Sequence, residues 1–167
     1  MKQSFRNLSQ AIAFILMAGL FSGLAQADST FRDMQGNITT LEAQQTPGEW
    51  TVVMIWASDC HICNQEVREY SQFHLKHADK KANIVGVSID GNQGLTDAKD
   101  FIQRNKVLFP SLIADVETVS RWYQMRTGES FRATPTFVLI DGDGAVRAAQ
   151  PGAVPTQIVE DFIAANS

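Results

Sequence analysis

Cysteine is scarce. Two in 167 residues rule out a disulfide-rich scaffold. Lys and Arg total 14 against 18 Asp and Glu, a formal charge of −4, and the basic residues are scattered rather than clustered. The electrostatic footprint of a nucleic-acid-binding surface is therefore missing. No apolar run reaches the ~18 residues of a membrane span, which argues against a polytopic membrane protein. Internal repeats, low-complexity tracts and interdomain linkers are also missing. What remains is ordinary globular composition, 44% hydrophobic, 19% charged and 9% aromatic. The length fits one domain. Such a domain buries about two thirds of its unfolded surface and needs no disulfide or metal merely to fold.

The first 27 residues read as an export signal. Lys2 and Arg6 form a positive start, Ala11 to Phe21 is apolar, and Ala25-Gln26-Ala27 supplies the small-x-small cleavage pattern. Cleavage is expected after Ala27, with a kept membrane anchor as the alternative. At about 1.5 Å per residue the apolar run spans only about half of a bilayer core. No cysteine stands near the cleavage site to carry a lipid. The expected mature domain, residues 28–167, carries 12 basic and 18 acidic residues. Export would place both cysteines where disulfides form and persist. The length and style of the signal are bacterial, so the expected location is the periplasm.

Within residues 28–49 the chain is polar, with an alternating stretch from Asn37 to Leu41 and a Pro47-Gly48 turn. Thr51 to Trp56 is a continuous β-rich apolar run, read as a strand buried on both faces. A helix is predicted from Cys60 to about His77 with Val67, Tyr70 and Phe73 inward. A second buried strand is predicted over Ile84–Ile89. A helix follows over Thr96–Asn105, capped by Thr96, with Ala98, Phe101 and Ile102 inward. A short strand at Leu112–Ala114 and a helix at Glu117–Met125 around Trp122 come next. Thr136–Ile140 is a strand that turns at Asp141–Gly144 and pairs with Ala145–Ala149. A last helix, Pro155–Ala165, carries Ile158, Val159, Phe162 and Ile163. Strands alternating with helices imply a parallel core, and the late hairpin adds an antiparallel edge.

The chemistry is concentrated at Cys60-His61-Ile62-Cys63, a C-x-x-C at the junction of a buried strand and a helix. The first thiol meets unpaired backbone N–H groups and the positive end of the helix dipole, and both favour thiolate. Spacing alone also fits a structural disulfide or half of a zinc site. A structural zinc site needs two further ligands. No second C-x-x-C exists, and His74 and His77 read as surface residues. Asp141-Gly142-Asp143-Gly144 does not complete a calcium loop and reads as a hairpin turn.

The surroundings favour redox chemistry. Val52 to Cys63, VVMIWASDCHIC, resembles the active-site stretch of the thioredoxin superfamily. Ala133-Thr134-Pro135-Thr136-Phe137 is similar to that family's proline loop, and Gly152 to Asn166 to its closing glycine and helix. Glu66, the extra strand–helix segment of residues 84–115, and the run from Pro135 to Gly144 are most similar to the TlpA/ResA-type extracytoplasmic thiol–disulfide oxidoreductases. The resemblance covers nearly the whole expected mature chain. It implies an α/β fold, a thioredoxin-like three-layer α/β/α sandwich with a central mixed sheet and an extra strand–helix insert.

The resemblance also implies roles. Cys60 is the exposed nucleophile, and the more buried Cys63 resolves the mixed disulfide. Pro135 is cis and faces the cysteines, the Thr134 backbone pairs with the substrate chain, Trp56 borders the site, and Glu66 relays protons to Cys63. Trp50 and Trp122 are packing residues. Three departures concern tuning. Asp59 stands where many relatives have tryptophan; it is read as the helix cap, and its carboxylate raises the Cys60 pKa, whereas an imidazolium at His61 lowers it. Met54 stands where thioredoxin has a buried acid, and Val67 where a proline often follows the glutamate. The dipeptide His61-Ile62 matches neither the common reductase nor the common oxidase signature. A peroxiredoxin-type peroxidase would place Pro and Thr where Val53 and Ala57 stand. The expected activity is a periplasmic oxidoreductase, leaning reductase, with no cofactor beyond the Cys60–Cys63 couple. Its expected partners are exported proteins, apocytochrome c among the candidates, and a membrane electron donor; the expected state is a monomer. The alternatives are an oxidase or isomerase of the same fold, or a Cu(I)-binding protein using the two thiolates with His61 or Met54 nearby.

Overall fold

The structure is a computed structural model that describes residues 30–78 and 80–167; the expected export signal lies outside the described residues. The chain runs β1 (Phe31–Asp33), β2 (Ile38–Thr39), β3 (Trp50–Trp56), α1 (His61–His77), β4 (Ala82–Ser88), α2 (Leu95–Asn105), β5 (Ser111–Ile113), α3 (Val116–Thr127), β6 (Thr136–Ile140), β7 (Val146–Pro151) and α4 (Thr156–Asn166). All seven strands form one mixed sheet in the order β2-β1-β5-β4-β3-β6-β7. Strands β3, β4 and β5 are parallel, whereas β6 runs antiparallel to β3 and β7 antiparallel to β6.

The apolar run of β3 is divided between two cores by strand alternation. Val52, Met54 and Trp56 face one core with α1, α2 and α4, supplied by Val67, Tyr70, Phe73, Ala98, Phe101, Val159 and Ile163. Val53 and Ile55 face the other, where α3 contributes Val119, Trp122 and Tyr123. That is why the strand is apolar apart from Thr51 near its start: both faces are covered by helices. On the α1 side Tyr70 stacks on Phe137 with ring centroids 4.4 Å apart, and its hydroxyl donates to the Val154 carbonyl at 2.8 Å.

Several expectations are corrected. β1 was not legible, because Phe31 is the one fully buried residue of three and the strand has no period to read. Helix α2 starts one residue before Thr96, with Gly94 at its N-cap position and no side-chain cap. Ile158 sits at helical spacing but is 58% exposed, since α4 buries only its Val159 and Ile163 side chains. His74 and His77 are half-buried rather than free on the surface. Nδ1 of His74 accepts the Ile84 amide at 3.3 Å, and His77 lies between the Phe73 ring and Glu160, which also pairs with Lys76 at 3.0 Å.

Gly86 at the middle of β4 allows close packing beneath the end of β3. A Cβ there would stand 2.5 Å from Ser111 Oγ, 2.9 Å from Trp56 Nε1 and 3.0 Å from the Phe109 ring. Those groups are themselves buried. Gly86→Ala is expected to destabilise the fold by about 1–3 kcal/mol through overpacking, read as a lower urea midpoint with an unchanged slope.

Candidate active site

Sheet register gathers the site at one end of the molecule. Trp56 at the end of β3 pairs with Ser88 of β4, and Ser88 with Ile113 of β5. Ile55 pairs with Thr136, so Pro135 leads into the sheet where Trp56 leaves it. The loops after β3, β4 and β5 and the loop before β6 therefore share one edge, as expected of parallel α/β sheets, which bind ligands at their carboxyl ends.

At this edge the chain turns through Ala57, Ser58 and Asp59, and the Cys60 amide donates to the Ala57 carbonyl at 3.1 Å. Cys60 is the N-cap of α1, in extended conformation, and its sulfur accepts the Cys63 amide at 3.1 Å. The two cysteines are joined as a disulfide, with Cα atoms 5.2 Å apart. Their environments differ: Cys60 is half-buried at the surface end, while Cys63 is 0% exposed in the α1-side core. One sulfur is approachable and the other is shielded. Asp59 is not the cap; it is exposed, and the sulfur one residue later takes the capping position.

The flanks of Cys60 are held by side chains the sequence reading passed over. Asn64 donates from Nδ2 to the Cys60 carbonyl at 2.8 Å, and buried Asn105 at the end of α2 donates to Asn64 Oδ1 at 2.9 Å. Ser58 donates from both its amide and its hydroxyl to the Asp90 carboxylate. A carboxylate directly after a buried parallel strand, on the loop facing the C-x-x-C turn, was the available signal for Asp90. Asn64 and Asn105 gave none, because a lone Asn on a helix is ordinary.

The Thr134–Pro135 peptide bond is cis. Pro135 is buried and Thr134 half-buried; the Pro135 carbonyl accepts the Gly152 amide at 2.8 Å, and Thr136 Oγ1 donates to the Ala133 carbonyl. His61 and Ile62 are exposed on the first turn of α1, and the Gln65 amide nitrogen lies 3.1 Å from His61 Nε2. Trp56, expected to meet substrate, is 1% exposed and stacks on Phe101 at 4.3 Å. It supports the site from beneath and offers no face to a partner. Met54, weighed as a copper ligand, is packed in the core. Among the described residues no group of three or more His, Cys, Asp or Glu side chains is placed to hold a metal ion.

Glu66 stands one turn after Cys63. Its carboxylate accepts the Val154 amide, so α1 grips the Val154 peptide from two rungs, with Tyr70 taking the carbonyl. Burial raises the Glu66 pKa above the usual glutamate range; the Val154 amide works against this, and Glu69 adds a smaller upward push.

A family model described as the AhpC/TSA family matches residues 23–149. The chain belongs to the AhpC/TSA family. It is similar to the sporulation thiol-disulfide oxidoreductase A of Bacillus subtilis (strain 168), with 23% identity over 159 residues, 89% of this chain and 93% of that one. Alkyl hydroperoxide reductase C of Mycobacterium tuberculosis is 38% identical over 53 residues, but these are 31% of this chain and 27% of that one. Among solved structures, StoA from Bacillus subtilis superposes with a TM-score of 0.62 at 19% identity, covering 80% of this chain and 93% of that one. A thiol:disulfide interchange protein of the thioredoxin family from Chlorobium tepidum TLS gives 0.67 at 17% identity, covering 81% and 90%. The fold is thioredoxin-like. The close cysteine pair and the sporulation thiol-disulfide oxidoreductase A that matches most of the chain agree on a thiol–disulfide oxidoreductase.

The raised Glu66 pKa has a signed consequence for stability. An acid whose folded pKa lies above its unfolded value favours the fold at low pH, and that contribution is lost as pH rises through the folded pKa. Glu66→Gln keeps an oxygen for the Val154 amide and removes the charge. The variant should therefore match the wild type at acid pH and become the more stable of the two near neutral pH. Urea midpoints of both proteins across this range check the prediction.

Proposed function

We propose that the chain is a periplasmic thiol–disulfide oxidoreductase that reduces disulfides in exported proteins and receives its electrons from a membrane donor. The observation that carries the chemistry is the asymmetry of the pair: an approachable Cys60 sulfur at a helix N-cap and a Cys63 sulfur closed off in the core.

In the reduced protein the Cys60 thiolate attacks one sulfur of a substrate disulfide. A Cys60–substrate disulfide forms, and the other substrate sulfur leaves as thiolate. The Cys63 thiolate then attacks Cys60, closing the Cys60–Cys63 disulfide and releasing the second substrate thiol. Two electrons pass from protein to substrate, and a donor dithiol restores the starting state by the reverse exchange. The first-turn N–H groups stabilise Cys60 as thiolate. Glu66, one turn beyond Cys63, is the acid–base group proposed to take the Cys63 proton. Thr134 and Pro135, on the loop that enters the sheet where β3 ends, are proposed to receive the substrate backbone. Apocytochrome c fits as a substrate class: an exported chain whose thiols must be reduced before they are used.

One feature supports the reductase direction. Asp59 places an exposed carboxylate beside Cys60, which opposes thiolate formation. Couples whose reduced form is specially stabilised are the oxidants. At this site the exposed Asp59 carboxylate offsets part of the stabilisation that the first-turn N–H groups give.

Cys60→Ser should abolish reduction of a model protein disulfide, whereas Cys63→Ser should retain the first attack and accumulate a mixed disulfide. Mass spectrometry of non-reduced protein after a single exposure to substrate distinguishes them. Trapping through Cys63 in the Cys60→Ser variant would reverse the assigned roles.

A further inference from the structure

The Asp90 carboxylate stands on the loop after β4, and among the described residues every side-chain hydrogen bond it makes is to a serine. Ser58, two residues before Cys60, donates its amide to both carboxylate oxygens at 3.2 and 3.1 Å and its hydroxyl to one at 3.0 Å. Ser88 donates its hydroxyl to the other oxygen at 2.6 Å and accepts the Asp90 amide at 3.1 Å. An aspartate directly after a strand commonly serves its own turn. Asp90 does not: the following single 3₁₀ turn, Asn92–Gly94, has no side-chain cap, and the carboxylate instead reaches a segment 32 positions upstream.

The platform beneath it is rigid. Asp90 forms an isolated bridge with Asp115, the Gly91 amide donates to the Ala114 carbonyl at 3.1 Å, and the Ile89 amide donates to the Trp56 carbonyl at 3.0 Å. Gly94 closes over the aspartate so tightly that a Cβ there would stand 2.6 Å from Asp90 Cβ. The loop after β4 is thus built around this one side chain.

We infer that Asp90 is a positioning residue for the exchange reaction: by fixing Ser58 it fixes the turn that sets the Cys60 sulfur at the N-cap of α1. This inference rests on the thiol–disulfide reading proposed above. The physical link is short. Ser58 is held at its amide and hydroxyl, the Cys60 amide is held by Ala57, and the sulfur sits where it takes the Cys63 amide. Releasing Ser58 leaves the turn free to move, so the sulfur spends less time against the first-turn N–H groups that favour its thiolate. A charged hydrogen bond of this kind is equivalent to about a tenfold change in an equilibrium or a rate.

The test compares Asp90→Ala, Asp90→Asn and Ser58→Ala with the wild type, full chain in each case, by the rate of reaction of the reduced protein with oxidised glutathione and by the equilibrium constant against the glutathione couple. Asp90→Ala is expected to change both by about tenfold, and Asp90→Asn, which keeps an acceptor oxygen for the Ser58 amide, to recover most of the loss. Ser58→Ala, which removes one of the contacts, should give a smaller loss of about threefold. Asp33→Ala removes the side-chain bonds of the β1–β2 turn and serves as a stability control with wild-type exchange. Wild-type rate and equilibrium in Asp90→Ala would overturn the inference, and so would an Asp90→Asn as impaired as Asp90→Ala, which would assign the effect to charge. If Asp90→Ala does not fold, wild-type exchange in Ser58→Ala overturns it. A wild-type disulfide that does not exchange with glutathione at all overturns the underlying reading; active wild type with unaffected variants overturns the positioning role alone.

Discussion

A sulfur at the N-cap of α1 is the constraint from which the rest of this structure follows. The first turn of any helix carries N–H groups with no partner inside the helix. Here the Cys63 amide, one of those groups, is donated to Cys60 Sγ. For a sulfur to stand there, the preceding strand must end at the right place, the helix must start without another cap, and the second cysteine must face inward. β3 satisfies the first condition by ending at Trp56, whose stacking on Phe101 anchors the strand end in the core. Asp59 satisfies the second by staying in solvent. Cys63 satisfies the third as one of the inward positions of α1, together with Val67 and Tyr70.

The same constraint explains why polar residues crowd one end of an otherwise apolar sheet. Asn64, Asn105, Ser58, Ser88 and Asp90 each bond to the segment around Cys60 or to a group that does. Buried polar groups are tolerated when they are partnered. Here they are partnered by one another and by the Ser58 amide and the Cys60 carbonyl, in a turn that must keep its shape while the bond between its sulfurs forms and breaks. The insert of β4 and α2 supplies three of the five, Ser88, Asp90 and Asn105, so its contribution to the site goes beyond enlarging the sheet.

Much of this was legible in the residues. The apolar runs within β3 and β4 announced strands covered on both faces, and the C-x-x-C at a strand–helix junction announced the site. Pro135 was marked only by resemblance, and register then brings it beside Trp56. What was not legible depended on distant contacts. β1 has too few residues for a period, and its Phe31 is buried only because α3 and Leu41 meet it. Trp56 was expected to border the site because its neighbours in sequence are there, but strand alternation turns its ring into the core. Asp59 looked like a cap because Asp is a good one; the chain instead turns one residue later, with Ser58 held by Asp90.

The central claim is that the Cys60–Cys63 bond is a working redox couple and not a brace for the fold. Packing on the two faces of the sheet is carried by two hydrophobic clusters, and only the α1-side cluster includes the cysteines. The reduction potential, measured by equilibrating the protein in defined glutathione buffers, tests the claim most directly. The account predicts a value in the range of working oxidoreductases, toward the thioredoxin end at about −270 mV rather than the DsbA end at about −120 mV. A value well below about −300 mV, where structural disulfides of secreted proteins lie, would contradict it.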